Sequence, residues 1–396
     1  MTIRTCVVAS LVLVGLTVVA TAEAQTPAAQ FDQRCATCHG SPSNERAPSP
    51  SALRLMTPER IYTALTTGVM QSQADGITDP QKRALAEYLS ERKIVASDAA
   101  SAATMSNRCQ TRAPMTGSGP SWNGWGVDLT NSRFQPAEPA ALSVEQASRL
   151  KLKWAFGFPG ATSVYAQPTV IGDRLFVASD TGYVYALNAS TGCVYWSYQA
   201  QAGVRTAINI APSPNREGRF NAYFGDMRAN VYAVDAETGE LQWSVRVEEH
   251  ALSRITGTPK VHEGRLYVPV SSFEEGSAGN LAYACCTFRG SLVALDSATG
   301  RTVWKTYTVA EAPKPTRKNS RGVQQWGPAG GAIWSSPTID TRRGLIYVAS
   351  GNSYTAPAPR TTDALIAFDI KTGAIRWAAQ ATEGDSWIGG CGPTPI

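Results

Sequence analysis

Two cysteines and a histidine near the N-terminus have a spacing that can hold a porphyrin covalently. Cys35, Cys38 and His39 form a C-x-x-C-H motif, in which two thiols can make thioethers to haem vinyl groups and the imidazole can reach the iron. Thioredoxin-like redox pairs and half zinc sites share the C-x-x-C spacing. A βαβ unit or a second ligand pair should then lie nearby, and residues 31–95 contain neither. The motif therefore predicts haem c.

The sixth iron ligand is predicted to be a methionine. The whole chain contains three histidines: His39, His250 and His262. Met56 directly precedes a cap and proline signature that opens a helix, so we expect it in the core. Met70 lies in a loop after this helix ends at Gly68 and before a second helix predicted over 79–92. We therefore predict a His39 and Met70 pair, which leaves no open position and suits electron transfer rather than substrate chemistry.

The first 24 residues have the features of an export signal. Arg4 precedes an apolar run over 6–20, and Ala22 and Ala24 supply small residues before a cleavage point. The run is shorter than the ~20 residues of a membrane span, and no second run follows. We expect a cleaved signal peptide over 1–24, a periplasmic protein and no membrane span after cleavage. The remaining cysteines would then lie in an oxidising compartment.

Composition narrows the class of protein. With 396 residues, 43% hydrophobic and 17% charged side chains, the chain is neither disordered nor a coiled coil. A formal charge of +5 with scattered basic residues indicates that nucleic acid is not a partner. The 34 glycines and 24 prolines favour a turn-rich β protein.

A repeat follows a segment over 96–119 that is rich in Ala, Ser, Thr and Pro and is predicted to be a linker. The pattern A-φ-[DN]-x-x-T-G-x-x-x-W then recurs and ends in turn at Trp196, Trp243, Trp304 and Trp377. Each copy predicts a strand, a tight turn with Asp or Asn and Gly, and a second strand. Further alternating strands precede each copy, so the units are predicted to be propeller blades. The tryptophans should wedge between blades with each N–H on a carbonyl, which is a structural role.

This blade motif resembles that of the quinoprotein alcohol dehydrogenases, eight-bladed propellers that hold pyrroloquinoline quinone at their centre. The likeness extends from about Trp122 to the C-terminus and includes the segments 122–126 and 131–134. The order of haem before propeller, with adjacent cysteines in segment 285–291, resembles the quinohaemoprotein branch that oxidises polyvinyl alcohol. The resemblance implies a mainly β fold: a partial eight-bladed β-propeller over 120–396, preceded by a small all-α class I cytochrome c domain over 25–95.

The resemblance also implies residues around the quinone. Cys285 and Cys286 would form a vicinal disulfide lying flat against it, and Trp334 would be the platform under its other face. Arg205 and Thr256 are the implied partners of the quinone carboxylates, since a guanidinium can pair with a carboxylate bidentately. The pair of cysteines falls on the third blade.

Calcium is the implied metal of the propeller. Family members place a carboxylate ligand just after a serine pair, which here indicates Glu275, with Glu274 as the alternative. If neither residue binds a metal, both would belong to a solvated loop. Asn352, in a Ser-Gly-Asn turn, is the implied second ligand. Oxygen ligands of this kind suit Ca²⁺.

The catalytic base implied by the resemblance departs from the family pattern in this sequence. In the family an aspartate follows a tryptophan near the end of this blade, but here Trp387 is followed by Ile388. Asp385 is the nearest carboxylate and is our prediction for the base. By the implied mechanism Ca²⁺ polarises the quinone, Asp385 takes the hydroxyl proton, a hydride moves to the quinone, and electrons leave singly through the haem.

We therefore expect a periplasmic enzyme that uses the quinone, Ca²⁺ and haem c to oxidise a secondary alcohol to a ketone. Polyvinyl alcohol is the expected substrate, small alcohols are the alternative, and a cytochrome or another periplasmic acceptor is the expected electron partner. A non-enzymatic propeller scaffold with an electron-transferring haem is the alternative from another class, and Ile388 favours it.

Two expectations concern completeness. About four blades are visible in the sequence where the resembled family has eight, so we expect the second half of the ring to be missing and the quinone to bind poorly. The partners of Cys109, Cys193 and Cys391 are left open by the sequence.

Overall fold

The computed structural model describes residues 25–388, except 41–46, 67, 95–99, 112–113, 120, 162 and 280. The predicted signal peptide over 1–24 and Cys391 lie outside the described residues. In the described part, no helix combines the length and apolar character needed to cross a bilayer.

The N-terminal module is all helical. Its helices are α1 (Pro27–Arg34), α2 (Ala36–His39), α3 (Pro50–Leu53), α4 (Pro58–Thr66) and α5 (Asp79–Ser90). Thr26 caps α1, and a capping box of Thr78 and Gln81 starts α5. Helix α5 ends two residues earlier than predicted, because Glu91 takes a left-handed conformation with φ of 56°. The core of this module consists of apolar side chains that are at most 7% exposed: Phe31, Leu53, Met56, Ile61, Leu65, Ala74, Ile77, Leu85 and Ala86.

Four antiparallel sheets follow, in which strands pair in chain order, as expected for propeller blades. A short strand and two single-turn helices come first: β1 (Ser121–Trp122), α6 (Ala137–Ala140) and α7 (Val144–Ala147). Blade 1 contains β2 (Thr169–Ile171), β3 (Arg174–Ala178), β4 (Tyr183–Asn188) and β5 (Val194–Gln199), and β1 extends it. Blade 2 contains β6 (Asn209–Pro212), β7 (Phe220–Gly225), β8 (Asn230–Asp235) and β9 (Leu241–Arg246).

The last two blades repeat this arrangement. Blade 3 contains β11 (Lys260–His262), β12 (Arg265–Ser272), β13 (Ser291–Asp296) and β14 (Thr302–Tyr307); β10 (Ser253–Arg254) pairs with the end of β12, and α8 (Glu274–Ser277) follows it. The ribbon of β15 (Lys314–Lys318) and β16 (Gln324–Gly327) precedes blade 4, which contains β17 (Thr338–Asp340), β18 (Leu345–Ala349), β19 (Ala364–Asp369) and β20 (Ile375–Gln380). The prediction of about four blades is confirmed for the described residues.

The repeated turn has the predicted chemistry. In each copy the Asp or Asn side chain accepts hydrogen bonds from backbone N–H groups two and three residues later, at 2.8–3.1 Å, and these residues are Asn188, Asp235, Asp296 and Asp369. The glycines of the turns have φ of 73–78°, a region that suits glycine, and are Gly192, Gly239, Gly300 and Gly373. Local hydrogen bonding therefore sets the register of each hairpin.

The repeated tryptophans pack between blades. A Cβ on Gly239 would lie 2.7 Å from the Trp196 ring, so the indole of one blade covers the turn glycine of the next. Trp196 Nε1 donates to the Ala236 carbonyl at 3.0 Å, as predicted. In the same way Trp243 covers Gly300 of blade 3, and Trp304 covers Gly373 of blade 4. Trp304 Nε1 has no hydrogen-bond partner among the described residues.

One tryptophan in this role was not predicted. Trp154 covers Gly192 of blade 1 and donates to the Ala189 carbonyl at 3.1 Å. It lies outside any complete copy of the repeat, so only the three-dimensional arrangement reveals it. Trp377, which the sequence places in the same class, is 42% exposed. No described blade follows it.

The segment expected to be a linker is in part fixed to blade 1. Ala100 and Ala102 are buried against this blade, and the Tyr185 hydroxyl donates to the Ala100 carbonyl at 3.1 Å. Cys109 forms a disulfide with Cys193, which settles two of the three cysteines left open. This part of the predicted linker therefore packs on the propeller, because small side chains let it lie close to the strands.

We expect the Cys109–Cys193 disulfide to contribute strongly to stability, because it closes a loop with a sequence separation of 84 residues. Cys109→Ser should lower the free energy of unfolding of blade 1 by about 2–4 kcal/mol, measured by urea denaturation without reductant. Cys193→Ser and the double substitution should give the same loss, since one bond is removed in each case. A double substitution that costs about twice as much as either single one would contradict this assignment.

Candidate functional site

The helical module encloses a cavity of about 540 Å³, within the ~300–1,000 Å³ range of ligand pockets. Cys35, Cys38, His39 and Met70 all line it. The predicted attachment and iron-ligating residues are thus brought to one space by α1, α2 and the segment after α4. Phe31 and other apolar core residues form much of the remaining wall.

The histidine of this cavity is oriented by the backbone. His39 Nδ1 lies 2.7 Å from the Pro48 carbonyl oxygen, so Nε2 is the nitrogen left to bind a metal. Both Cys35 and Cys38 have free thiols, and burial raises the pKa of Cys35 while Arg34 partly opposes the increase. Two free thiols, an oriented imidazole and an apolar cavity fit covalently attached haem c.

The two methionine candidates have different surroundings. Met56 is 6% exposed, and its Sδ lies 3.6 Å from Arg228 Nη1. Met70 is only partly buried, and its backbone is tied at both ends by hydrogen bonds to Ala64 and Ala74. Both side chains line the cavity, but the Met56 sulfur already contacts a cation, which favours Met70 as the ligand.

The adjacent cysteines of blade 3 form the expected disulfide. Cys285 and Cys286 are bonded to each other and are 4% and 0% exposed. They belong to one apolar cluster with Tyr354, and Trp334 and Ile388 pack against this cluster. The disulfide and the predicted platform residue therefore belong to one packed region, which Ile388 also contacts.

The Thr256 hydroxyl, predicted to bind a quinone carboxylate, contacts the backbone of Trp334. Its hydroxyl lies 3.0 Å from the Trp334 carbonyl oxygen and 3.0 Å from Ser271 Oγ. A Cβ on Gly351 would lie 3.0 Å from Trp334 Nε1, so glycine lets this loop pass close beside the indole. Thr256 and Gly351 together fix the position of the tryptophan.

The Glu274 carboxylate already accepts hydrogen bonds from neighbouring groups of the protein. Its carboxylate is 0% exposed and accepts hydrogen bonds from Tyr283 Oη at 2.9 Å and from the N–H groups of Thr287 and Phe288, both at 2.8 Å. His250 Nε2 lies 3.4 Å from it. Burial alone would raise the pKa of Glu274, but His250 and the two backbone donors outweigh it, so the pKa is held below its ordinary value.

Glu275 has a different environment, although it is the next residue. Its carboxylate accepts no hydrogen bond from the residues that the structure describes. Burial raises its pKa, and the charge of Arg254 opposes this. A carboxylate with unused lone pairs is what a hard cation requires, so the structure favours Glu275 over Glu274 as a metal ligand.

Arg254 is the residue that sequence reasoning missed. It is 4% exposed, its guanidinium lies over the Phe273 ring at 4.5 Å, and its Nε and Nη2 are buried without a hydrogen-bond partner among the described residues. Burial first, and then the neighbouring Arg205, lowers its pKa, while Glu275 opposes the shift. A buried guanidinium with unused donors is costly unless it binds an anion. It ends the two-residue strand β10, and no local motif marks it in the sequence.

Arg205 lies near this group but is more open. It is exposed, and its guanidinium stacks over the Tyr165 ring at 5.1 Å. After burial, the charge of Arg205 is the second cause that lowers the pKa of Arg254. Two close cations without a mutual counter-ion indicate a place for an anionic ligand.

The remaining predicted residues lie on blade 4. Asn352 donates through Nδ2 to the carbonyls of Ser353 and Trp387, which leaves its Oδ1 as an acceptor. Asp385 is exposed, and it raises the pKa of Asp363, whose main perturbation is burial. One oxygen of Asp363 is buried without a partner among the described residues. Asp363 is thus a second carboxylate near Asn352 that the sequence analysis did not single out.

The described residues contain no group of three or more His, Cys, Asp or Glu side chains arranged for a metal ion. Glu275 and Asn352 would therefore supply only two of the 6–8 oxygen ligands typical of Ca²⁺.

Family models match both the helical module and the propeller. The profile described as outer membrane protein assembly factor BamB matches residues 125–324, about half of the chain. The β-propeller domain profile of glucose/ethanol/alcohol dehydrogenases matches residues 290–388. The profile of cytochrome C oxidase, cbb3-type, subunit III matches residues 22–89.

Similar proteins include two polyvinylalcohol dehydrogenases. The one from Pseudomonas sp. is 41% identical over 97% of this chain and 62% of its own length. The one from Sphingopyxis sp. (strain 113P3) is 40% identical over 91% of this chain and 57% of its own length. The chain thus spans about three fifths of the length of these relatives.

Solved structures show the same fold. Quinohemoprotein alcohol dehydrogenase ADHIIG from Pseudomonas putida HK5 superposes with a TM-score of 0.53 at 23% identity, covering 68% of this chain and 41% of that one. The enzyme from Comamonas testosteroni gives a TM-score of 0.51 at 24% identity, covering 68% and 42%. With a propeller whose profile covers about half of the chain and a cytochrome-type module before it, the chain belongs to the propeller family described as outer membrane protein assembly factor BamB and has the architecture of a quinohaemoprotein.

Proposed function

We propose that this chain is the haem-bearing and quinone-binding part of a periplasmic dehydrogenase that oxidises secondary alcohols to ketones. Three observations carry the proposal: the Cys285–Cys286 disulfide, Trp334 packed against the apolar cluster that contains it, and the buried Arg254 with donors that have no partner among the described residues. A flat ligand that carries carboxylates suits these features, and pyrroloquinoline quinone is such a ligand. The similarity to polyvinylalcohol dehydrogenases over nearly the whole chain supports the same conclusion.

The protein's own residues would hold and orient the cofactors. The disulfide and Trp334 would enclose the quinone plane, and Arg254 with Arg205 would neutralise its carboxylates. Thr256, through its bond to the Trp334 carbonyl, would keep the indole in place. When bound, the quinone supplies a two-electron acceptor, Ca²⁺ a Lewis acid and haem c a one-electron carrier.

Glu275 and Asn352 are the calcium ligands that this chain would supply. The Glu275 carboxylate accepts no hydrogen bond from the described residues. Asn352 donates through Nδ2 to two backbone carbonyls, which leaves its Oδ1 available as a ligand. The quinone and water would supply the other oxygen ligands.

The proton acceptor is Asp385 or its neighbour Asp363. Burial and then the charge of Asp385 raise the pKa of Asp363 above its ordinary value, which is the direction expected for a general base. Asp385 is more exposed. Separate Asp385→Asn and Asp363→Asn variants would distinguish them, since only the base should be needed for turnover once quinone binding is shown to be intact.

Reconstitution tests the function. The haem-loaded chain is mixed with pyrroloquinoline quinone and Ca²⁺, and reduction of the haem is followed by absorbance after adding butan-2-ol, ethanol or polyvinyl alcohol. Reduction that needs both the quinone and the alcohol is expected, and the preferred alcohol identifies the substrate class. No reduction by any alcohol, in a chain shown to bind the quinone, would favour the non-enzymatic scaffold, to which Ile388 also points.

For the haem, we expect Met70→Ala to remove the sixth ligand. The ferric haem should lose its methionine-to-iron charge-transfer band, and its midpoint potential should fall, because a methionine ligand raises the potential. Met56→Leu, which conserves volume, is the matched control and should keep both properties. Loss of the band in Met56→Leu instead would exchange the two assignments.

A further inference from the structure

One residue of the propeller reaches the cavity of the helical module. Arg228 lines this cavity together with Cys35, Cys38 and His39, although it belongs to blade 2. Its Nη1 lies 3.6 Å from Met56 Sδ. The wall of the candidate haem site is therefore completed by a cation from the other domain.

The turn that carries Arg228 is held rigidly. It joins β7 to β8, and the fully buried Asp226 accepts hydrogen bonds from the N–H groups of Arg228 and Asn230 at 2.8 and 3.0 Å. The other carboxylate oxygen accepts from Tyr232 Oη at 2.7 Å and Asn230 Nδ2 at 2.8 Å. Asp226 is thus occupied by neutral donors and organises the turn.

Further contacts hold the module against the propeller at this place. Met56 forms an isolated antiparallel bridge with Ala202 of the propeller. Arg92 at the end of the module donates to the Asp180 carbonyl at 2.6 Å, and a hydrogen bond of 3.3 Å joins Ser51 to Ser277. The position of Arg228 over the cavity therefore follows from a docked interface rather than from one contact.

Three arginines line the cavity, and the guanidinium groups of two of them have no oxygen partner among the described residues. Arg34 donates to the Asp75 carbonyl at 2.8 Å, whereas neither Arg60 nor Arg228 pairs with a carboxylate among the described residues. Arg228 Nε is buried without a hydrogen-bond partner there. Burial and the charges of Arg246 and Arg60 lower the pKa of Arg228. Arg228 is thus a desolvated cation that is costly without a counter-ion, and the more exposed Arg60 adds a second positive charge beside it.

We propose that Arg228, together with Arg60, binds the propionate carboxylates of the haem and so makes the propeller part of the haem site. This inference rests on the proposed function in one respect, that haem c occupies the cavity. Haem is an apolar ring with two carboxylates, and the cavity is apolar with two unpaired guanidinium groups, so charge and shape agree. A guanidinium can hold a carboxylate bidentately. The redox behaviour of the haem then depends on docking to the propeller.

The test measures the haem midpoint potential of the full chain by spectroscopic redox titration between pH 5 and pH 8. Arg228→Gln should lower the potential, because a positive charge beside the haem favours the reduced, less positive state. At a fixed ambient potential the ratio of reduced to oxidised haem should fall roughly threefold or more. Arg60→Gln should act in the same direction, and Arg228→Lys should retain part of the wild-type value.

The pH dependence separates a bound carboxylate from a general charge effect. A propionate paired with Arg228 stays ionised in wild type, so the potential should vary little over this range. Without Arg228, burial raises the propionate pKa, and the potential of Arg228→Gln should rise as the pH falls. The other titratable or charged groups that line the cavity are Arg34, Cys35, Cys38, His39 and Arg60, and the charges of Asp226 and Arg246 also act on Arg228. All of them are unchanged in this variant.

Arg376→Gln is the matched control, because it also removes one propeller cation, paired with Asp369 on blade 4 and outside the cavity. An Arg228→Gln chain with the potential and pH profile of Arg376→Gln would overturn the inference. Failure to attach haem covalently in wild type would instead overturn the proposed function. Attachment in wild type with indifferent arginine variants would overturn this inference alone.

Discussion

Glu274→Ala is expected to lower the free energy of unfolding of the propeller by about 3–5 kcal/mol, as when one partner of a buried charged group is removed. Glu274 is 0% exposed, and loss of its carboxylate leaves the N–H groups of Thr287 and Phe288 without an acceptor, the second of them on a buried residue. These residues directly follow the Cys285–Cys286 disulfide. The loss can be measured by urea denaturation monitored through tryptophan fluorescence.

Glu275→Ala is the matched control for this prediction, since it removes the same chemical group one residue further on. Its carboxylate accepts no hydrogen bond from the described residues, so the unfolding free energy should change by less than about 1 kcal/mol. Calcium binding in the presence of the quinone should be lost in this variant instead. If Glu275→Ala were the more destabilising of the two, the assignment of Glu274 to structure and Glu275 to the cation would be wrong.

Arg254→Met is expected to weaken binding of pyrroloquinoline quinone by about 10- to 100-fold, the equivalent of ~1.4 kcal/mol for each factor of ten. The guanidinium is 4% exposed and has unused donors, so it is ready to bind an anion. Equilibrium dialysis or calorimetric titration of the quinone into the chain measures the loss.

The same substitution has the opposite effect on the chain without quinone. A buried cation with unpaired donors is costly, and a methionine of similar length removes that cost. We therefore expect the unfolding free energy of Arg254→Met to equal or exceed that of wild type in the absence of quinone. Arg289→Met, which removes donors to the Val309 and Ala310 carbonyls, is the control and should leave quinone affinity unchanged. Equal quinone affinity in wild type and Arg254→Met would exclude Arg254 from the site.

Features set by neighbours along the chain could be predicted from the sequence. The spacing of Cys35, Cys38 and His39 places all three on one helical turn, and the cavity of the module confirms that they face one space. The blade repeat could be predicted for the same reason. The Asp or Asn of each turn caps N–H groups only two or three residues away, and the glycine needs a positive φ at that one position.

The choice between equivalent residues required the fold. Glu274 and Glu275 are chemically identical and adjacent, and they differ only in what surrounds them. Arg254 carries no motif, and its significance comes from being buried beside Arg205 and Glu275 without a partner. Asp363 became a candidate base only because the fold places Asp385 beside it.

The sequence by itself determined the haem motif, the propeller class and the adjacent-cysteine pair, because each depends on covalent spacing or on hydrogen bonds within a few residues. The tertiary structure alone decided that Cys109 pairs with Cys193, that Trp154 covers Gly192, and that Arg228 completes the cavity of the other domain. These pairs come from distant parts of the chain and carry no common local pattern. Their contact free energies depend on distance and burial, which exist only once the blades and the helical module are packed together.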